Sequence, residues 1–348
     1  MPRTTYDAVV ATRNRAEALS LTLPIVLSQT RKPSRLIVVD ASDNHAEAAA
    51  AVEAVRRNAG SETEVIFEPS RPGLPHQRNR GLAFVQSPVV MFFDDDSVLY
   101  PNAAEEILAV YERDTEARIA GVSGIEAMSP PSGVDLGYNI AEQHQREAQF
   151  RRLRNRIERR LTALKPALFL GSELNRHHKV PAWLSELDAV PVEYMTGFRM
   201  TFRTEAIRGL GFDEALGGYA LDEDIDASFT AMRSGLVVGA RRAKIYHHRY
   251  PGGRPDPYRL GRMTVLNRAH VLLKHASGPL GSAAIMNAVW RRHLIFSTLK
   301  LASCARGLID PQRRPRLAGG WDGNLASLRL WYTPTRERAT NLTVRSTS

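Results

Sequence analysis

The chain has 348 residues, of which 43% are hydrophobic, and its Lys and Arg residues outnumber Asp and Glu by 47 to 37. This composition excludes a disordered chain, and the formal charge of +10 favours an anionic partner. The single cysteine, Cys304, excludes an internal disulfide and a multi-cysteine zinc site. Neither a signal-peptide core nor an apolar stretch of transmembrane length is found, so we expect a cytoplasmic location.

Short apolar runs alternate with helical patterns in the N-terminal part of the chain, which is typical of βαβ units. Four strands with three intervening helices are expected, in the order Ala8–Thr12, Arg15–Leu27, Leu36–Asp40, Glu47–Arg57, Glu64–Phe67, His76–Phe84 and Val89–Phe93. This alternation predicts an α/β fold with a mostly parallel central sheet that is flanked by helices.

The rest of the chain has a less regular pattern. A helix (Ala103–Tyr111) and a strand (Ile119–Val122) lead to a turn-rich boundary at Met128–Gly133. The later elements that we expect are a basic helical insertion over 141–165, strands Val190–Met195, Arg199–Phe202 and Ile245–Tyr250, helices Thr204–Leu210 and Asp222–Ser234, a turn at Gly211–Gly218, a helical region Tyr258–Gly307 and a frayed tail from Thr333.

Three aspartates, Asp94, Asp95 and Asp96, directly follow the apolar strand Val89–Phe93. Adjacent carboxylates raise one another's pKa unless a cation lies between them, and Mg²⁺ and Mn²⁺ prefer oxygen ligands. The carboxyl ends of strands are also where open α/β sheets bind ligands. The aspartates therefore predict a metal-assisted site that binds phosphate oxygens, and the alternative is a solvated acidic turn.

A second acidic cluster, Asp222-Glu223-Asp224-Ile225-Asp226, opens a predicted helix. The helix dipole favours one or two acids at this position but does not account for four in five residues. If this helix end faces the first cluster, one carboxylate can act as a general base toward a hydroxyl. His247 and His248 follow a predicted strand, and either could complete a metal site or serve as a structural hydrogen-bonding residue.

Several polar segments lie where ligand-binding loops are expected. The first strand ends in Thr12-Arg13-Asn14-Arg15 and the second in Asp40-Ala41-Ser42-Asp43. Both ends are expected at the same edge of the sheet, where an aspartate can accept hydrogen bonds from a base or ribose. A Gly/Pro loop with Arg71 and Arg78 leads into a helix, and arginines at a helix start suit phosphate oxygens.

Taken in motif order, residues 5–250 resemble the inverting family 2 glycosyltransferases, which have the GT-A fold. The resemblance rests on the two strand ends above and on four further motifs. These are Arg78-Asn79-Arg80-Gly81, Asp94-Asp95-Asp96, Gly197-Phe198-Arg199-Met200 and Glu223-Asp224-Ile225-Asp226.

The resemblance implies a role for each matching residue. Asp224 would be the catalytic base, and Asp96 with Asp94 would bind Mn²⁺ or Mg²⁺, to which we add His247 as a candidate third ligand. The donor nucleotide would be bound by Thr12, Arg13, Asn14, Arg15, Asp40, Asp43, Arg78, Asp94 and Asp95. Gly197, Phe198 and Glu223 would face the acceptor or the donor sugar.

The resemblance also implies a division of the chain. Residues 1–115 would bind the nucleotide sugar, 116–250 would form the acceptor and catalytic half with the basic insertion, and 251–348 would be a helical extension. The chain lacks the Gln-x-x-Arg-Trp motif of processive synthases. A single-addition enzyme of the hexosyltransferase type is therefore expected, acting in polysaccharide biosynthesis on a glycan or lipid-linked acceptor.

The Arg-rich helix and the C-terminal helices would suit peripheral contact with the inner face of the plasma membrane. No nucleic-acid partner is expected, because two acidic clusters would repel a phosphate backbone and no nucleic-acid-binding signature offsets them.

The main alternative function is a haloacid-dehalogenase-like Mg²⁺-dependent phosphatase. The segment Asp94-x-Asp96-x-Val98 matches the nucleophile motif of those enzymes in outline. Such enzymes carry that motif on an early strand, whereas three strand–helix units precede it here. A sugar-nucleotide pyrophosphorylase would need a Gly-rich loop after the first strand, and Ala11-Thr12-Arg13-Asn14 has no glycine.

Overall fold

The computed structural model describes residues 3–134, 165–217, 219–250, 256–304 and 314–332. A central sheet of nine strands has the order β3-β2-β1-β4-β8-β6-β9-β5, and β7 also pairs with β9. The strands are β1 Tyr6–Thr12, β2 Arg35–Asp40, β3 Glu64–Pro69, β4 Val89–Asp94, β5 Ser97–Leu99, β6 Ile119–Glu126, β7 Ala189–Pro191, β8 Met200–Arg203 and β9 Leu236–His247.

The helices of the described residues pack on both faces of the sheet and at its C-terminal side. They are α1 Ala16–Leu27, α2 Ala46–Asn58, α3 Leu74–Phe84, α4 Ala103–Arg113, α5 Pro166–Asn175, α6 Thr204–Arg208, α7 Glu223–Ala231, α8 Pro257–Ala276, α9 Ala283–Cys304 and α10 Arg314–Tyr332. Short 3₁₀ turns span Ala182–Leu187, Gly197–Arg199 and Glu214–Leu216.

The strands of the N-terminal part pair in parallel, and their register determines where the polar strand ends meet. Thr12 pairs with Asp40, and Ala11 pairs with Asp94, so β1, β2 and β4 finish at one edge. Side chains along β1 alternate between the two layers of the core: Ala8 and Val10 face one layer and Val9 the other. Both faces are therefore buried, which explains the nearly continuous apolar runs.

The predicted α/β fold with a central sheet flanked by helices is confirmed, although the second half of the sheet is mixed. β8 runs antiparallel to β4 and β6, and β9 runs parallel to β6 but antiparallel to β5 and β7. The parallel expectation thus holds for the βαβ units, where helical crossovers connect the strands.

Several predicted boundaries differ from the observed ones. β9 begins at Leu236 rather than Ile245, because exposed arginines in the middle of the strand interrupt its apolar pattern. The strand predicted at Val190–Met195 is observed as Ala189–Pro191, and only the backbone N–H of Val192 continues the pairing with β9. The strand expected from Arg199 begins at Met200, after a 3₁₀ turn.

Other elements were not predicted, or lie where the structure gives no description. β5 and α5 have no counterpart among the predictions, and α10 lies within the predicted helical extension 251–348 without having been predicted as a separate helix. The helical region Tyr258–Gly307 is divided into α8 and α9 at a Gly-Pro turn. The basic insertion predicted over 141–165 lies outside the described residues except for Lys165, and so does the tail from Thr333.

Two close approaches of the backbone explain glycines in the sequence. A Cβ on Gly81 of α3 would lie 2.4 Å from Cγ1 of Val9, so the glycine lets α3 pack directly on β1. A Cβ on Gly319 of α10 would lie 1.9 Å from the carbonyl oxygen of Tyr258 in α8. The helices α8 and α10 therefore pack backbone to backbone. Within the described ranges, no helix has both the length and the apolar character that a membrane span requires.

Candidate active site

A cleft of about 860 Å³ opens at the edge of the sheet where β1 and β4 end. Its wall is completed by the start of α7, the end of β9 and the segment before β8. Many of the predicted site residues line it: Thr12, Arg13, Asn14, Arg15, Asp94, Asp95, Asp96, Gly197, Phe198, Glu223, Asp224 and His247. The structure thus brings the two acidic clusters to one cavity.

Asp95 is the structural member of the first cluster. Its Oδ2 accepts a hydrogen bond from Thr12 Oγ1 at 2.7 Å, and its Oδ1 accepts one from Arg15 at 2.9 Å. Burial raises the pKa of Asp95 to about 7, although Arg15 opposes this. Because both oxygens bind protein groups, Asp95 fastens the end of β1 to the turn after β4.

Asp94, Asp96 and His247 form the one group within the described residues whose side chains could hold a metal ion, with donor atoms all within 4.8 Å of one another. Burial opposes the charge of Asp96, but His247 and Arg15 keep its pKa below the usual value. The buried Oδ1 of Asp96 has His247 Nε2 at 3.3 Å yet accepts no hydrogen bond from any described residue.

A buried carboxylate oxygen that accepts no hydrogen bond is costly, so Oδ1 of Asp96 is suited to bind a cation. Two carboxylates and one imidazole suit Mn²⁺, and the oxygens also suit Mg²⁺. The His247 ring is fixed by stacking on Phe198, with ring centroids 4.4 Å apart. His248 is buried, and its backbone N–H donates to the Asp96 carbonyl.

Asp224 lies in the first turn of α7 and lines the cleft. Its Oδ2 accepts the backbone N–H of Gly197 at 3.0 Å, and its Oδ1 accepts that of Ile225 at 2.8 Å. Burial and the neighbouring Asp222 raise the pKa of Asp224 to about 6. A carboxylate with this pKa is ionised at neutral pH and is a better proton acceptor than an exposed aspartate.

Arg78 joins the two acidic clusters from below the cleft. Its Nη1 donates to Glu223 at 2.6 Å and its Nη2 to Asp94 at 3.0 Å, and only 2% of the residue is exposed. Burial and the nearby Asp224 raise the pKa of Glu223 to about 8. One guanidinium therefore holds the end of β4 against the start of α7.

The other acids of the second cluster bind cations from α8. Asp222 pairs with Arg268, and the fully buried Asp226 pairs with Lys274 and His275. Asp226 has a lowered pKa, because these two partners outweigh the effect of burial. Asp222 and Asp226 thus attach α7 to the C-terminal helices.

The first two strand ends form a polar wall next to the aspartates. Asn14, with φ of 53°, donates through its backbone to Ser42 Oγ at 2.8 Å, and its side chain donates to Asp43 at 2.9 Å. Asp43 is exposed and also pairs with Arg13. A left-handed asparagine is an accepted turn conformation, and here it connects the β1 loop to the β2 loop.

Three predicted donor-binding residues do not line the cleft. Asp40 is fully buried, and its oxygens accept hydrogen bonds from Ser42 and pair with His45. Arg78 lies under the cleft, and Asp43 lies outside the lining. The positions of Asp40 and Arg78 favour a supporting role over direct ligand contact.

The cleft also contains residues that the sequence reasoning missed. The most prominent are Gln77, Tyr194, Tyr219, Leu221, Arg249, Tyr250, Arg259 and Arg268. Gln77 donates to the backbone carbonyls of Thr12 and Val39 and so connects β1 with β2. Its place at the start of the helix that follows Arg71 was visible in the sequence, whereas no local signal identifies Tyr194 or Arg268.

Comparison with known proteins agrees with the fold. Residues 7–163 match the family described as Glycosyl transferase family 2. No curated protein matches the chain. Among solved structures, the chain is similar to the mannosyltransferase PcManGT from Pyrobaculum calidifontis, which was solved with GDP-Man and Mn²⁺. The identity is 14% and the TM-score 0.53, over 95% of this chain and 88% of that one.

The chain is also similar to residues 1–349 of TarS from S. aureus. There the identity is 14% and the TM-score 0.51, over 99% of this chain and 89% of that one. At such identities the two structures show a shared fold only. The family match over residues 7–163, a little under half of the chain, together with the shared fold identifies a glycosyltransferase with the GT-A fold.

Proposed function

We propose that this glycosyltransferase moves one sugar from a nucleotide-diphosphate donor to an acceptor hydroxyl, with inversion and with the help of Mn²⁺ or Mg²⁺. The strongest support is that the carboxylate of Asp224 lies in the same cleft as the candidate metal-binding group, which consists of Asp94, Asp96 and His247. The family match supports sugar transfer over the phosphatase alternative.

The donor's diphosphate is assigned to the Asp94 side of the cleft and its nucleoside to the wall formed by residues 12–15. Asp94, Asp96 and His247 would hold the metal ion, which neutralises charge on the leaving diphosphate when it is bound. Arg13 is half exposed in this wall, and its guanidinium is available to a phosphate or ribose oxygen. This assignment takes support from the GDP-Man and Mn²⁺ in the PcManGT structure.

Asp224 is assigned as the general base. It accepts the proton of the acceptor hydroxyl while the acceptor oxygen bonds to the anomeric carbon and the bond to the diphosphate oxygen breaks. Each oxygen of Asp224 accepts one backbone N–H, so each retains a lone pair for the hydroxyl. A single displacement from the opposite side inverts the anomeric configuration.

Calorimetric titration of GDP, UDP, dTDP and CDP tests the donor assignment, with Mn²⁺ present and after chelation. We expect one diphosphate to bind in a metal-dependent manner. Asp96→Ala should remove that dependence, whereas Asp188→Asn, at an exposed aspartate outside the cleft lining, should keep it. Binding that is the same with and without metal would contradict the metal site.

We further propose that α10 contacts an anionic membrane surface, which would suit a lipid-linked acceptor. Trp321, Leu325 and Leu328 are exposed by 54%, 56% and 36% and recur at helical spacing. Arg314, Arg316 and Arg329 are exposed on the same helix. Apolar and cationic side chains on one helix are typical of interfacial binding.

Flotation with phosphatidylglycerol vesicles, against phosphatidylcholine alone, tests this contact. We expect binding only to the anionic vesicles and its loss when Trp321, Leu325 and Leu328 are all changed to Ser. Leu210→Ser, at a residue 62% exposed elsewhere on the surface, serves as the control. Equal flotation of the triple variant, or self-association in place of vesicle binding, would contradict the proposal.

A further inference from the structure

The four carboxylates at the start of α7 differ in what compensates their charge. Asp222 pairs with Arg268, Glu223 with Arg78, and Asp226 with Lys274 and His275. Within the described residues, Asp224 has no cation within 4 Å, and its partners are two backbone amides. The cluster therefore neutralises the neighbours of Asp224 and leaves Asp224 itself basic.

Most of this compensation comes from a single helix of the C-terminal region. Arg268, Lys274 and His275 all belong to α8, and they reach the carboxylates two residues before and two residues after Asp224. Nε and Nη2 of Arg268 donate to the two oxygens of Asp222 at 2.8 and 2.6 Å. Lys274 Nζ and His275 Nε2 lie 2.9 and 2.8 Å from Asp226.

The backbone at Asp222 indicates that this arrangement has a cost. Asp222 precedes α7 with φ of 75° and makes no side-chain capping bond to the helix. A left-handed backbone is unfavourable for a residue other than glycine, although less so for Asp, and a helix without an N-cap hydrogen bond is less stable. The carboxylate that would cap α7 is instead bound by Arg268. Asn267 adds to this attachment by donating to the carbonyl of Leu221 at 3.0 Å.

We propose that α8 is part of the catalytic apparatus, and that Arg268 is a positioning residue that neutralises Asp222 and so keeps Asp224 in place as an ionised base. The proposal rests on the proposed function, since it takes Asp224 as the base. Arg268 also lines the cleft, but its Nε and Nη2 are bound to the two oxygens of Asp222, which favours the positioning role over ligand contact.

The expected charge effects follow from the groups around Asp224. The charged or titratable side chains that face it are Asp222 and Glu223 on its own segment, Arg78 of α3, Arg268 of α8, and Tyr194 and Arg199 of the segment before β8. Removing Arg268 leaves Asp222 uncompensated, so the pKa of Asp224 rises. Removing the charge of Asp222 has the opposite sign.

A double-mutant cycle of Arg268→Gln and Asp222→Asn tests the proposal. Asparagine tolerates the left-handed backbone, so Asp222→Asn changes charge with little strain. The first readout is the titration of the Asp224 carboxyl carbon, followed by NMR in protein with ¹³C-labelled aspartate and assigned by its loss in Asp224→Asn. The second is the acid side of the pH profile of kcat/KM. The third is Tm, which monitors folding.

We expect Arg268→Gln to move the Asp224 titration and the acid limb up by about one pH unit, and Asp222→Asn to move both down by about the same amount. The double variant should return close to the wild-type values, and Arg268→Lys should recover most of the shift. Single shifts of the same sign, or a lower Tm with an unmoved titration, would overturn the proposal.

The same cycle separates this proposal from the base assignment. Opposite shifts of the Asp224 titration without matching shifts of the acid limb would support the charge coupling by Arg268 and contradict Asp224 as the base. An Asp224→Asn enzyme with full transfer activity would contradict the base assignment in a second way. The NMR readout does not require a known donor or acceptor.

Discussion

The two acidic clusters each contain one carboxylate that the protein leaves incompletely satisfied, but in different ways. In the first, Arg15 and Arg78 bind Asp95 and Asp94, while a buried oxygen of Asp96 is left without a hydrogen-bond donor among the described residues. In the second, every carboxylate but Asp224 is paired with a protein cation. An incomplete set of donors around a buried oxygen indicates a place for an external cation. A single acid in the cleft that has no protein cation beside it, between paired neighbours, is suited to act as a base.

The largest effect on this difference between the clusters is expected for Asp224→Asn. The change keeps shape and most hydrogen bonds but removes the proton acceptor, so we expect transfer to fall by about 10²–10⁴-fold, the usual contribution of a general base. Nucleotide affinity should change little, because Asp224 lies at the start of α7 rather than among the candidate metal ligands. Transfer rates and calorimetric nucleotide binding, measured on the same preparation, check both halves.

The next largest effect is expected for Asp96→Ala. This change removes the carboxylate with the uncompensated oxygen, so metal-dependent nucleotide binding should weaken by at least about tenfold, while the fold is retained. Titration of GDP or the preferred diphosphate at several Mn²⁺ concentrations measures it. An unchanged metal dependence would place the cation at another group.

Arg78→Met tests the connection between the clusters. It leaves the buried Glu223 and the partly exposed Asp94 without their shared cation, and breaking a buried ion pair from one side costs about 3–5 kcal/mol. Denaturant unfolding should show a loss of stability at neutral pH. Part of the loss should return at low pH, mainly because Asp94 becomes protonated, since Glu223 with a pKa of about 8 is already largely protonated at neutral pH. A variant as stable as the wild type would show that Arg78 does not carry the connection.

The smallest expected effect is a change of activity with pH. Because the pKa of Asp224 is raised to about 6, kcat/KM should decline below about pH 6 as the base becomes protonated.

The raised pKa of Asp224 also makes the stability of the folded protein depend on pH, with a sign that can be worked out. A carboxyl with a raised folded pKa binds more protons when folded, so stability decreases from about pH 4 to 6 and then levels off. Activity and unfolding profiles over pH 4–8 check the two signs.

Much of the N-terminal half was predictable because its signals are local. The apolar runs of β1, β2 and β4 and the acids that follow β4 are contiguous in sequence, and parallel pairing then brings their ends together. The acidic start of α7 was visible for the same reason. These signals indicated the fold and the acidic residues at the centre of the cleft.

What could not be predicted depends on contacts between distant parts of the chain. Nothing in the sequence around Arg268 or Lys274 shows which acids they bind. The motif around Arg78 predicts a phosphate-binding residue, because the exposure of a side chain cannot be judged from a motif. In the structure, Arg78 is buried between two acids. The predicted strand covers only the C-terminal part of β9, because exposed arginines in the middle of β9 interrupt the pattern expected for a strand.

The attachment of α7 to α8 bears on what counts as a minimal catalytic unit. A chain shortened to end at Tyr250 would retain every motif residue by which the family resemblance was detected. It would nevertheless lack Arg268, Lys274 and His275, and would leave Asp222 and Asp226 beside the proposed base without their partners. On this proposal the motifs of the chain and its functional unit have different boundaries, and a chain that ends at Tyr250 should lose activity although it keeps every motif.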